Sequence, residues 1–89
     1  MTNTLNTNKQ FKRFEDMVAD KLEILKNTDI DNIEEFEYNE IMGVTIELTT
    51  MIFTTVEMTE ITETEIEQHI KNEIGLTIDD LQQLENSFY

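Results

Sequence analysis

Phe11, Phe14, Val18, Leu22 and Leu25 recur at spacings of 3, 4, 4 and 3, the apolar stripe of an amphipathic helix. Met17 and Ile24 widen that stripe, and charged residues including Arg13, Asp16 and Asp20 fill the opposite face. The spacing predicts a helix over about residues 9–27, ended by the weak helix formers Asn27 and Thr28. Ahead of it, MTNTLNTN is polar and uncharged, and residues 1–8 read as a flexible arm.

The pattern then changes. In DIDNIEEFEYNEI, Phe36 and Tyr38 alternate with Glu35, Glu37 and Asn39, a strand-like order with one acidic face. A short helix is the alternative, with Ile33, Phe36 and Ile41 sharing a side. After Gly43, Val44, Ile46, Leu48, Ile52, Val56 and Met58 share one parity, with Thr45, Glu47, Thr49, Thr55 and Glu57 on the other. Threonine and β-branched residues favour strand here. The run is long for a strand and has no Asn-Gly or Asp-Gly turn. It predicts a hairpin turning at Thr49–Thr50 or one long bent strand. A heptad-like helix through Ile41, Val44, Leu48, Met51 and Met58 is the competing arrangement.

Helical spacing returns at the end of the chain. Thr62 with Glu65 makes a capping box, Ile66, Ile70 and Ile74 follow at intervals of four, and Gly75 supplies the stop. Thr77 caps a second helix whose stripe is Ile78, Leu81, Leu84 and Phe88, with Asp79 and Asp80 in its first turn. The sum is an α+β fold: an N-terminal helix, a small antiparallel sheet over about residues 34–58, and two C-terminal helices on one sheet face. Residues 9–89 form this single acidic domain. A core this small, with open strand edges, predicts a homodimer.

Charge reshapes the functional picture. Sixteen of the 20 acidic residues follow Thr28, where Lys71 is the one basic residue, so residues 29–89 carry −15. The first 28 residues sum to +1, from Lys9, Lys12, Arg13, Lys21 and Lys26 against Glu15, Asp16, Asp20 and Glu23. Such a body repels itself, which costs stability. The hydrophobic fraction of 38% and its periodicity nonetheless predict a folded chain. No cysteine is present, which excludes disulfides and thiolate metal sites and agrees with a cytoplasmic location. The N-terminus lacks the apolar core of a signal peptide, no continuous apolar run reaches membrane-spanning length, and anionic lipid should repel the chain.

Catalytic and cofactor motifs are missing. Asp29, Asp31 and Glu40 match positions 1, 3 and 12 of a calcium loop, but Glu34 stands where that loop needs glycine and Ile33 occupies position 5. His69 is the only histidine and has no cysteine or second histidine to complete a metal site. With no phosphate-binding glycine loop or nucleophile elbow, the chain reads as neither an enzyme nor a cofactor protein. Direct nucleic-acid binding needs a basic stripe, which this composition cannot supply.

What remains is the density of carboxylates in IEEFEYNE and TEITETEIEQ. In these runs, in length and in its lack of cysteine and proline, the chain resembles the small acidic bacteriophage proteins that mimic DNA. Some of these inhibit restriction enzymes or CRISPR effectors, and one type occupies the DNA-binding surface of the histone-like HU nucleoid protein. The class shares no sequence motif, so no residue role is carried over from it. The resemblance implies a cofactor-free inhibitor, often dimeric, whose partner is a basic DNA-binding protein: a nucleoid protein of the HU kind first, or else a nuclease or polymerase subunit. On the residues themselves, Glu34, Glu35, Glu37, Glu40, Glu60, Glu63, Glu65 and Glu67, with Asp79 and Asp80, are the candidates to replace phosphates at Lys and Arg side chains. The competing expectation is a non-catalytic structural or regulatory module, antitoxin-like or adaptor-like, that binds through apolar surface.

Overall fold

Helix α1 (Thr4–Lys26) follows from the first apolar stripe, and two single 3-10 turns at Ile30–Asn32 and Glu35–Glu37 link it to α2 (Tyr38–Met58). Helices α3 (Glu63–Ile74) and α4 (Ile78–Asn86) complete the chain. This computed structural model describes the backbone of residues 4–87 and the side chains from Lys9 to Ser87. Residues 1–3 of the expected arm lie outside the described residues, while residues 4–8 belong to α1. Phe88, the last position of the expected C-terminal stripe, also lies outside them.

The expected α+β fold is overturned. The chain is 84% helical, with no strand among the described residues. Residues 34–58, read as a sheet, form the second 3-10 turn and the long helix α2 instead. The reason lies in which residues α2 buries: Ile41, Thr45, Leu48, Thr49 and Ile52. Their spacings of 4, 3, 1 and 3 are helical, but two of the five are threonines, so the hydrophobic residues alone do not reveal the stripe. Each threonine returns its hydroxyl to the preceding turn. Thr45 Oγ1 donates to the Ile41 carbonyl at 2.7 Å. Thr49 Oγ1 lies 3.1 Å from the Thr45 carbonyl, 3.0 Å from that of Ile46 and 3.3 Å from Glu85 Oε2, so its single proton is shared among three acceptors. This local bonding removes the cost of burying a hydroxyl in the core. Of the heptad alternative, Ile41 and Leu48 are buried, Val44 and Met51 pack at the edge, and Met58 is 77% exposed.

Helix α2 is the central element. Lys21 of α1 reaches Glu47 at 3.2 Å, and Gln10, Arg13, Phe14 and Met17 line one notch with Thr55, Met58 and Thr59, which sets α1 and α2 antiparallel. Helix α3 returns beside α1, with His69 edge-on to the rings of Phe11 and Phe14 at centroid distances of 5.7 and 6.5 Å. Helix α4 lies on α2, bringing Glu85 to Thr49. The core joins Phe14, Val18, Leu22 and Leu25 of α1 to the α2 stripe, Ile61, Ile66, Ile70, Ile78 and Leu81. Fully burying each large apolar side chain contributes about 1.5–3 kcal/mol. The C-terminal helices thus cover a helix pair, not a sheet face, and the described residues offer none of the strand edges invoked for a homodimer.

Within Glu35–Met58 an 18-residue window has a mean hydropathy of 1.3, long and apolar enough by length and composition to cross a membrane, with 28% of that window buried. The segment supplies core residues on one side, packs Val44, Met51 and Val56 partly against that core, and exposes Phe53 and Met58.

The two glycines should respond oppositely to alanine. Gly43 sits inside α2 with open space where a Cβ would go, whereas Gly75 ends α3 at φ 74° and donates to the Lys71 carbonyl at 2.9 Å. Gly43→Ala is expected to stabilise the fold by roughly 0.5–1 kcal/mol. Gly75→Ala should cost about 1 kcal/mol, because an L side chain is strained in the left-handed region. Thermal melts resolve both, since 1 kcal/mol corresponds to about 4–8 °C in a domain of this size.

Candidate functional site

The antiparallel α1–α2 pair places the carboxylates. Glu34, Glu35 and Glu37 sit in the α1–α2 connector and Glu40 in the first turn of α2. Glu60 lies in the α2–α3 loop, and Glu63 and Glu65 open α3. The 21 residues of α2 separate these groups, by roughly 30 Å at 1.5 Å per residue. Glu67, one turn on from Glu63 in α3, meets the start of α4, which carries Asp79 and Asp80: the Ile78 backbone N–H donates to Glu67 Oε2 at 3.2 Å. The ten candidates therefore fall in two regions, the connector with the first turn of α2, and the α2–α3 loop with α3 and the start of α4.

Several of these carboxylates hold the fold as well as its charge. Glu65 Oε2 accepts from the Thr62 N–H at 3.2 Å while Thr62 Oγ1 accepts from the Glu65 N–H at 3.2 Å, the expected capping box. Asp80 and Thr77 repeat the arrangement with both bonds at 3.0 Å. Glu37 Oε1 accepts from the Glu34 N–H at 3.2 Å and closes the connector turn. Each carboxylate satisfies an N–H at the start of a helical segment, where the helix dipole also favours negative charge. Glu35, Glu40, Glu63 and Asp79 are exposed and take no part in those bonds.

Neutralisation is sparse. Lys12 pairs with Asp16 at 3.6 Å within α1, and Lys21 pairs with Glu47 between helices. Five of the six basic residues belong to α1, so six cations stand against 20 anions and the remaining surface is acidic by count alone. Among the described residues no three His, Asp or Glu side chains converge to hold a metal ion. Between Asp29 and Glu40, Asn32 Nδ2 donates to Asp29 Oδ2 at 3.2 Å within the connector.

Two features escaped the sequence reading. Glu85, half-buried, is brought to Thr49 by the docking of α4, 36 residues away in sequence. Phe36 is 85% exposed, although an aromatic between isoleucines reads as a core residue. Its immediate neighbours, Glu35 and Glu37, were the available signal.

No protein-family model matches the chain, and neither a curated protein nor a solved structure is significantly similar to it.

The two roles of carboxylate predict opposite mutational signs. Glu57 lies in the last turn of α2, where the dipole disfavours an anion. Glu57→Gln is expected to stabilise by about 0.3–0.5 kcal/mol. Glu67→Ala, which frees the Ile78 N–H at the start of α4, should cost about 1 kcal/mol. Raising salt from about 0.02 to about 0.5 M should raise the melting temperature of all three proteins by screening self-repulsion. Melting curves of the wild type and both variants at the two salt concentrations check the signs.

Proposed function

We propose that this chain is a stoichiometric inhibitor that presents a DNA-like acidic surface to a basic bacterial nucleic-acid-binding protein, with a nucleoid-associated HU-like protein as the favoured target. The observation that carries the reading is the excess of exposed carboxylate on a helical scaffold whose own cations are nearly confined to α1. The molecule measures 50 × 21 × 17 Å along its principal axes and bears a net charge of −14. A duplex of that length carries about 29 phosphate charges, one per ~1.7 Å of axis. The chain thus bears about half the charge of a duplex of that length. The folded backbone fixes where these groups are rooted, which lowers the ordering cost of binding. No cofactor or turnover enters this function, and its setting is the bacterial cytoplasm.

A second reading has its own support. Met17, Phe36, Tyr38, Phe53 and Met58 are exposed, and the last three of these belong to α2. An interaction module, antitoxin-like or adaptor-like, would use such surface, with the charge serving solubility. The homodimer is proposed on the same ground, through the outer side of α2, and sedimentation across micromolar concentrations tests it.

Competition with DNA separates the readings. Added to a complex of an HU-like protein and a DNA duplex, the chain is expected to displace the duplex stoichiometrically. Its affinity should fall steeply between about 0.05 and about 0.2 M salt, as for phosphate contacts. Combining Glu35→Gln, Glu40→Gln, Glu63→Gln and Asp79→Asn spares the carboxylates that cap helices and should abolish displacement with the helical spectrum unchanged. A target that keeps its DNA while bound to this chain would rule out mimicry. Binding that is insensitive to salt would favour the apolar module.

A further inference from the structure

The connector between α1 and α2 combines two features that a mimic built from charge alone does not need. Phe36 is the most exposed large apolar side chain among the described residues, at 85%. It stands in the 3-10 turn Glu35–Glu37, which is closed by the Glu34 N–H to Glu37 Oε1 bond and leads directly into α2. On either side of it in sequence, Ile33 and Tyr38 help line a groove of about 450 Å³ with Ile30, Leu84 and the polar Asp31, Asn32 and Ser87. Carboxylates surround these apolar positions along the chain: Asp31, Glu34, Glu35, Glu37 and Glu40.

We propose that this connector is the specificity-determining anchor of the interface, and that its occupant is a basic protein segment carrying an apolar residue flanked by Lys or Arg. The inference rests on the acidic-inhibitor reading and adds to it the place and the chemistry of recognition. An exposed aromatic in a defined turn gives a large contact at low entropic cost, the property of residues that dominate interface energetics. The carboxylates around it select for cations and against other apolar surfaces. Charge also decides against a second copy here. No basic residue lies between Asp29 and Ile70, so two connectors placed face to face would oppose like charges throughout.

Two labelled synthetic peptides of equal charge test the proposal: one alternates Lys-Arg pairs with leucine, the other carries serine in place of each leucine. Fluorescence anisotropy at low salt is expected to show the leucine peptide binding the full chain about tenfold more tightly. Phe36→Ala, at an exposed position that should leave the helical spectrum unchanged, is expected to remove that preference while the serine peptide and the salt dependence stay as they were. Equal binding of the two peptides by the wild type, or an undiminished preference in Phe36→Ala, would overturn the anchor. So would a change of sedimentation in Phe36→Ala, which would name a second copy as occupant. A peptide affinity raised by Phe88→Ala would likewise overturn it, by naming the chain's own end. The anchor and the broader reading fail separately: Phe36→Ala that still displaces DNA with full potency leaves mimicry standing without the anchor, whereas a wild type that displaces no DNA yet prefers leucine leaves the docking site without mimicry.

Discussion

Everything in this structure depends on burying one side of α2. Ile41, Leu48 and Ile52 supply its apolar part, and Thr45 and Thr49 complete the stripe by returning their hydroxyls to backbone carbonyls one turn earlier. With those protons satisfied the threonine methyl groups pack as apolar surface, and α1, α3 and α4 can close around the same helix. A strand would expose each of these hydroxyls in turn. The helix hides them.

That core must also outweigh repulsion among the charges around it. Part of the opposing force is recovered where carboxylates are placed on helix starts. Glu65, Asp80 and Glu67 each accept a backbone N–H near the N-terminus of α3 or α4. At those points negative charge is stabilising, whatever it does to the sum. Glu57 at the end of α2 has no such role, and the fold simply carries it. The acidic surface is therefore two populations of carboxylate, one holding helices together and one facing solvent.

The distinction bears on function, because a partner meets the two populations differently. A carboxylate with one oxygen on a backbone N–H is fixed in direction, while Glu35, Glu40 and Glu63 move on flexible stems. The charge is also distributed along an elongated body, with the connector and the α2–α3 loop at opposite ends of α2. A partner that engages both groups must be extended or must bind at more than one point, as a DNA-binding groove does. A compact partner would meet one end, where Phe36 makes the connector the more distinctive of the two.

The sequence by itself determined the N-terminal stripe, both C-terminal helices, the Thr62–Glu65 box, the Thr77 cap and the stop at Gly75, because each depends on residues within one or two turns. It also determined the charge excess and its separation from α1. Residues 29–58 escaped it. There the β-branched composition favours strand locally, and the alternating parity of Val44, Ile46, Leu48 and Ile52 coexists with a helical stripe whose members are partly threonine. Only packing could choose, since the helix gains Phe14, Val18, Ile66 and Leu81 as neighbours while an isolated sheet face would not. Tertiary structure likewise committed Glu67 to the start of α4 and brought Glu85 to Thr49. Each of those outcomes depends on segments far apart in the chain meeting in space, and no local pattern encodes that.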